Sequence, residues 1–147
     1  MESALARESE YEAADALVAA AGLSLDDLDQ CRASQFVLRD GAAIIATAAL
    51  EIRGDDAILR SVAVDPTRRG ERLGERVVAH AVDQARALQL RAVYLLTETA
   101  AEFFPRFGFI REPREAAPPA IQASVEYGSV CGPDAVAMVL ELLRERA

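Results

Sequence analysis

The chain has 147 residues, 52% of them apolar, with 24 acidic side chains against 16 basic ones and a net charge of −8. That length predicts one domain over residues 1–147 with a real core, and that charge excludes wholesale nucleic-acid binding. No apolar run nears the ~18 residues that span a bilayer. Cys31 and Cys131 are too few for a disulfide framework and lack metal-ligand spacing with the lone His80, so no metal site is expected. The acidic start, MESALARESE, is not a signal peptide. A reduced, cytoplasmic protein is the expectation.

In chain order, Ser9-x-x-Glu12 has capping-box form ahead of the apolar residues 13–18, which predicts a helix stopped by Gly22. Residues 24–27 predict a second short helical turn. Gln35-Phe36-Val37-Leu38-Arg39 reads as a strand and Asp40-Gly41 as a hairpin turn. Residues 42–52 are the next strand, Gly54-Asp55-Asp56 a further turn, and residues 57–64 a third strand. The links are too short for a crossover, so these strands are antiparallel neighbours.

Asp65 and Pro66 end the third strand. A basic turn with Arg68, Arg69, Gly70, Arg72 and Gly74 follows. Then Leu73, Val77, Ala81, Ala85 and Leu88 recur at helical spacing, which predicts a helix over 70–88. A turn that opens a helix presents unpaired N–H groups, and the aligned peptide dipoles favour an anion there. The arginines strengthen that preference, so residues 69–75 read as a seat for phosphate or pyrophosphate. It is neither a P-loop, lacking Gly-Lys-Ser/Thr, nor a G-x-G-x-x-G dinucleotide turn. Residues 92–96 are continuously apolar and predict a buried parallel strand. An antiparallel meander thus passes into one β-α-β unit, a mixed α/β arrangement.

Thr99-x-x-Glu102 is a second capping box, ahead of Phe103 and Phe104, with Pro105 distorting the segment. Gly108-Phe109-Ile110 returns to a strand. A proline-rich connection spans residues 113–119, and residues 120–124 form a short helical piece. Val136, Met138, Leu140 and Leu142 alternate, which predicts a strand over 135–142. Its rival is a helix from Pro133-Asp134, because Ala, Met, Leu and Glu favour helices.

The run Val62-Ala63-Val64-Asp65-Pro66, continued by Arg69-Gly70-x-x-Leu73-Gly74, resembles motif A of the GNAT superfamily of N-acetyltransferases. In that motif R/Q-x-x-G-x-G/A opens the helix that holds the pyrophosphate of acetyl-CoA. Arg72 stands where the pattern has glycine. Either its side chain crowds the cofactor, if the backbone must come close or turn to positive φ, or its guanidinium adds a phosphate contact. Phe103-Phe104-Pro105-Arg106-Phe107-Gly108-Phe109 is similar to the family pattern F-Y-x-x-x-G-F, with Phe104 at the tyrosine that often protonates the departing thiolate. The segments Leu59-Arg60-Ser61-Val62, Leu96-Thr97-Glu98-Thr99-Ala100 and Ala117-Pro118-Pro119-Ala120-Ile121-Gln122-Ala123-Ser124 look like the branch associated with arsenic-resistance operons, where phenylalanine at this place is common.

The resemblance implies a mostly antiparallel, twisted sheet with one parallel strand pair splayed at the cofactor site and helices on both faces. It implies acetyl-CoA as co-substrate and direct transfer of acetyl to a small-molecule amine, with no nucleic acid or membrane as partner. Val62, Ala63 and Val64 then offer main-chain groups to the pantetheine arm. Arg69, Gly70, Arg72, Leu73, Gly74 and Glu75 supply amides and charge to the pyrophosphate. The first two helices line the acceptor pocket, and homodimers, frequent in the family, would use the last strand or the proline-rich segment.

Amine attack on a thioester needs a base, and a carboxylate on a pocket strand serves when partial burial raises its proton affinity. Glu51, late in an apolar strand beside motif A, is the first catalytic candidate, with Glu126 and Glu98 behind it. Thr97 is a candidate for polarising the carbonyl. Cys131 could act as a thiolate, and His80, amid alanines and valines, reads as structural. Two rivals stand beside the transferase: a GNAT-fold module that holds CoA without chemistry, and a nucleotide-binding protein.

Overall fold

The computed structural model describes residues 1–68, 70–130, 132 and 134–143. The chain opens with a strand, β1 (Glu2–Leu5), which the sequence does not announce because its four residues carry little apolar alternation. It is held by antiparallel pairing to β2 (Gln35–Asp40). Helix α1 (Tyr11–Ala20) follows. Its entry differs from the expected Ser9–Glu12 box: the Arg7 amide donates to Glu10 Oε1 at 2.8 Å, two residues earlier. Gly22 closes α1 as expected, its amide bonding Ala19 O at 3.0 Å while Leu23 N reaches Val18 O at 3.2 Å. The second helical turn begins later than residues 24–27, as a 3-10 helix over Leu28–Ser34.

Two tight turns then set the meander. Gly41 (φ 62°) and Gly54 (φ 66°) take the left-handed conformation such hairpins need. They join β2 to β3 (Ala43–Arg53) and β3 to β4 (Asp56–Val64), all antiparallel. Helix α2 (Leu73–Ala87) carries the chain to β5 (Ala92–Thr97), parallel to β4. The two-residue β6 (Ile110–Arg111) forms the far edge. A one-turn helix α3 (Pro119–Gln122) and a π-helical turn over Glu126–Val130, which the sequence did not suggest, lead to β7 (Val136–Glu141). The strand reading of 135–142 prevails over its helical rival because β7 is bonded on both sides, to β5 and to β6. The sheet order is β1-β2-β3-β4-β5-β7-β6, mostly antiparallel with the one parallel pair β4–β5.

Strand alternation sorts the core onto two faces. Leu59, Val93, Leu95 and Met138 meet Val77 and Ala81 of α2 on one face. Ile58, Tyr94 and Val139 meet Ile121 and Tyr127 on the other. Beside them, Ala49 and Ala63 meet Val18 of α1 with Leu28 and Cys31. The expected capping box at Thr99–Glu102 is displaced too. Thr97 Oγ1 accepts the Ala100 amide at 2.9 Å, and a 3-10 helix follows over Phe104–Phe107.

Candidate functional site

The parallel pair separates before it ends. Its register runs from Asp56↔Ala92 to Ile58↔Tyr94, yet β4 continues to Val64 and β5 to Thr97. Between Arg60 and Ala63 the β3–β4 register slips by one residue, from Ala49↔Arg60 to Thr47↔Ala63. The extra residue is accommodated at Ser61, whose φ of 58° marks a β-bulge that turns the strand. Past the bulge Val62 and Val64 pack toward α2, and Ala63 is buried against the α1 side. On the side toward β5, this stretch offers main-chain N–H and C=O groups with no strand partner among the described residues.

The turn after β4 is tightly wired. Asp65 Oδ1 accepts from Thr67 N at 2.9 Å and Thr67 Oγ1 at 2.8 Å, and Arg68 N donates to Asp65 O at 3.0 Å. Arg68 is committed to Glu71 at 2.7 Å and Asp40 at 3.0 Å. Arg69, the first arginine of the expected anion seat, lies outside the described residues, as does Cys131. Gly70 precedes Arg72, which takes φ 58° at the N-cap of α2 and points its side chain, 84% exposed, into solvent. The backbone at Arg72 does take positive φ, with its side chain extended into solvent.

No side chain among the described residues caps α2, so the amides of Leu73, Gly74 and Glu75 in its first turn have no side-chain partner there. Gly74 lies against Val64 and Phe103, where an added Cβ would stand 3.5 and 3.6 Å from them. Glu75 is drawn aside by Arg106 at 3.2 Å, and Arg106 itself lies over the Phe103 ring at 4.6 Å. An uncapped helix mouth beside a parted strand pair fits an extended ligand with a diphosphate at one end.

On the face opposite α2 lies a charged cluster. The Arg60 side chain is 0% exposed. Its Nη1 donates to Glu51 Oε1 at 2.9 Å, its Nη2 to Asp26 O at 2.7 Å and its Nε to Ser61 Oγ at 3.1 Å. Glu51 Oε2 accepts from Arg53 at 3.3 Å. Glu126 Oε2 stands 4.0 Å from Arg60 Nη2. Burial pushes the Glu126 carboxyl upward from its ordinary value, with Arg60 pulling the other way. Burial also pushes the nearby Cys31 thiol up to about 11, which leaves it inert. The structure thus brings Glu51 and Glu126 together through Arg60, which the sequence reading passed over. Its signal was available: an arginine within the apolar run 57–64 must find partners inside the fold.

The other candidates are placed apart. Glu98 Oε1 accepts the Gly132 amide at 3.1 Å, tying the end of β5 to the connection before β7. His80 pairs with Ser3 Oγ at 2.5 Å and stacks on Phe36, on the α2 face. Phe104 is buried, edge-on to Phe103 and Phe109.

The sequence profile of the acetyltransferase (GNAT) domain matches residues 32–111. An amino-acid acetyltransferase of Mycobacterium tuberculosis is 41% identical over 68 residues, covering 45% of this chain and 38% of that protein. Among solved structures, N-acetylglutamate synthase from Neisseria gonorrhoeae, complexed with coenzyme A and N-acetyl-glutamate, superposes with a TM-score of 0.81 at 20% identity, over 97% of this chain and 35% of that one. A Mycobacterium tuberculosis protein in complex with CoA and NLQ superposes with a TM-score of 0.81 at 24% identity, over 97% of this chain and all of that one. The chain spans little more than a third of the curated relative and of the gonococcal synthase. With the profile matched across more than half of its length, from the 3-10 helix before β2 to β6, the chain belongs to the GNAT family of acetyltransferase domains.

Proposed function

We propose that residues 1–147 form one GNAT domain that transfers the acetyl group of acetyl-CoA directly to a small-molecule amine. The observation that carries this is the uncapped N-terminus of α2 beside the parted ends of β4 and β5. In this reading Leu73, Gly74 and Glu75 give amides to the diphosphate, with Gly70 and Arg72 shaping the turn and Arg69 adding charge. Val62, Ala63 and Val64 offer main-chain groups to the pantetheine arm as an added strand would. Thr97, at the end of β5, lies by the thioester. An amino acid is the favoured acceptor, because an amino-acid acetyltransferase and an N-acetylglutamate synthase are among the relatives. The domain acts in the cytoplasm on a small molecule, alone or as a homodimer; no described helix is long and apolar enough to cross a membrane. A place in the arsenic-resistance branch rests on the three segments quoted above.

Calorimetric titration with acetyl-CoA, followed by an amine screen of thiol release, tests the proposal. Arg69→Ala should weaken acetyl-CoA binding by about 1–3 kcal/mol, the range for a charged hydrogen bond. Unchanged affinity overturns the phosphate seat. Phe104 favours a second reading, a CoA-holding module without chemistry, since its buried ring has no proton to give a leaving thiolate. Tight acetyl-CoA binding with no turnover on any amine selects that reading.

A further inference from the structure

The Arg60 cluster holds two carboxylates that differ in what they have left to give. Both oxygens of Glu51 already accept from guanidinium groups, Oε1 from Arg60 and Oε2 from Arg53, which holds that carboxylate in its ionised, charge-paired form. Glu126 is the reverse. Its Oε2 is buried and accepts no hydrogen bond among the described residues, although the Arg60 guanidinium lies 4.0 Å away. A buried carboxylate oxygen left unbonded is costly; Asp56 Oδ1 and Glu112 Oε2 share that state, and Glu126 is the one of the three that stands beside Arg60. Arg60 has its donors committed to Glu51, Asp26 and Ser61, which suits it to hold the cluster in place. It ties β3, the β4 bulge and the loop after α1 to the turn that carries Glu126. That bulge begins two residues past the last β4–β5 pair, so the cluster lies under the parting of the strands.

We propose that Glu126 is the general base of acetyl transfer, taking the proton of the attacking amine, with Arg60 and Glu51 as its positioning residues. This rests on the acetyl-transfer reading above. The amine nitrogen bonds to the thioester carbonyl carbon, and the C–S bond breaks with its electron pair on sulfur. The proton lost from nitrogen passes to the Glu126 carboxylate and from there to solvent or the thiolate. The charged groups that face Glu126 are Arg60 from β4, Glu51 from β3 and Asp26 from the loop after α1. The arginine favours the ionised carboxyl, the two acids and burial oppose it, and the balance makes it a better proton acceptor than an exposed glutamate.

The experiment compares the full chain with Glu126→Gln, Glu126→Asp and Glu51→Gln. It uses thiol release from acetyl-CoA across pH, with L-glutamate and a panel of primary amines as acceptors and hydroxylamine as a nucleophile already unprotonated at neutral pH. Calorimetry with acetyl-CoA reports that each variant is folded. Glu126→Gln should lower kcat by about 100-fold or more, abolish the acid limb of the pH–rate profile, leave acetyl-CoA affinity unchanged and recover most of its rate with hydroxylamine. Glu126→Asp should keep the limb at an intermediate rate, and Glu51→Gln should keep it as well. A wild-type limb in Glu126→Gln, or its loss in Glu51→Gln instead, overturns the assignment. A wild-type chain that binds acetyl-CoA and acetylates no acceptor overturns the transfer reading itself, and the base falls with it.

Discussion

Two buried arginines make the most instructive contrast in this molecule. Arg39, on β2, is 7% exposed in its side chain and closed on itself chemically. Its Nε and Nη2 hold both oxygens of Glu10, its Nη1 holds Glu2 at 2.5 Å, and its Nη2 also reaches Leu5 O at 3.2 Å. Glu10 in turn accepts the Arg7 amide, so neither of its oxygens is idle. That cluster pins β1 and the start of α1 to the sheet edge. Arg60, on β4, is buried more deeply still, but its cluster contains an acid, Glu126, whose Oε2 accepts no hydrogen bond among the described residues. A fold that can close one arginine cluster completely and leaves another open beside the parted strands separates a structural use of charge from a chemical one.

Replacing each arginine by methionine tests this contrast most strongly. Arg60→Met keeps the bulk yet strands two acids inside the fold, and should cost about 3–5 kcal/mol in denaturant unfolding. Arg39→Met releases acids nearer the surface, Glu2 being 65% exposed, and should cost about 1–3 kcal/mol, mostly by loosening β1. Equal losses would erase the distinction. Arg72 is the control, an arginine whose side chain is 84% exposed and whose nearest acid, Glu75, is 3.9 Å away. Its φ of 58° is strained for a residue with a Cβ. Arg72→Gly should therefore stabilise the chain by about 1 kcal/mol, and the accompanying change in acetyl-CoA affinity reads whether the guanidinium helps hold phosphate.

The finest test is the pH dependence of stability, where the clusters have opposite signs. The Arg39 guanidinium holds the Glu10 carboxyl below its ordinary value near 4.5. Its stabilisation is complete above that value and lost as pH falls through the depressed folded one. Burial raises Glu126, so its contribution is complete below about 4.5 and lost as pH rises through the folded value. Glu10→Gln should flatten the acid side of a stability profile and Glu126→Gln the loss at higher pH. A profile unchanged by either variant would remove the electrostatic basis of the contrast.

What could be read from the chain alone was what short-range chemistry imposes. Asp40-Gly41 and Gly54 demand tight reversals, the apolar spacing after Leu73 demands a helix, and the run at residues 92–96 demands a buried strand; all three formed, the helix starting at Leu73 instead of residue 70 because Gly70 and Arg72 take positive φ. The family was legible for the same reason, since its motifs are contiguous. Only the tertiary structure decided which polar groups face one another. β1 is a strand because β2 offers it an edge, Thr97 caps its turn where Thr99 was expected to, and Arg72 takes a conformation that its residue type disfavours. The meeting of Arg60, Glu51 and Glu126 depends on a bulge in one strand and a π-helical turn far along the chain. Local patterns carry backbone preference, whereas the fate of a buried charge is set by neighbours that only the folded chain supplies.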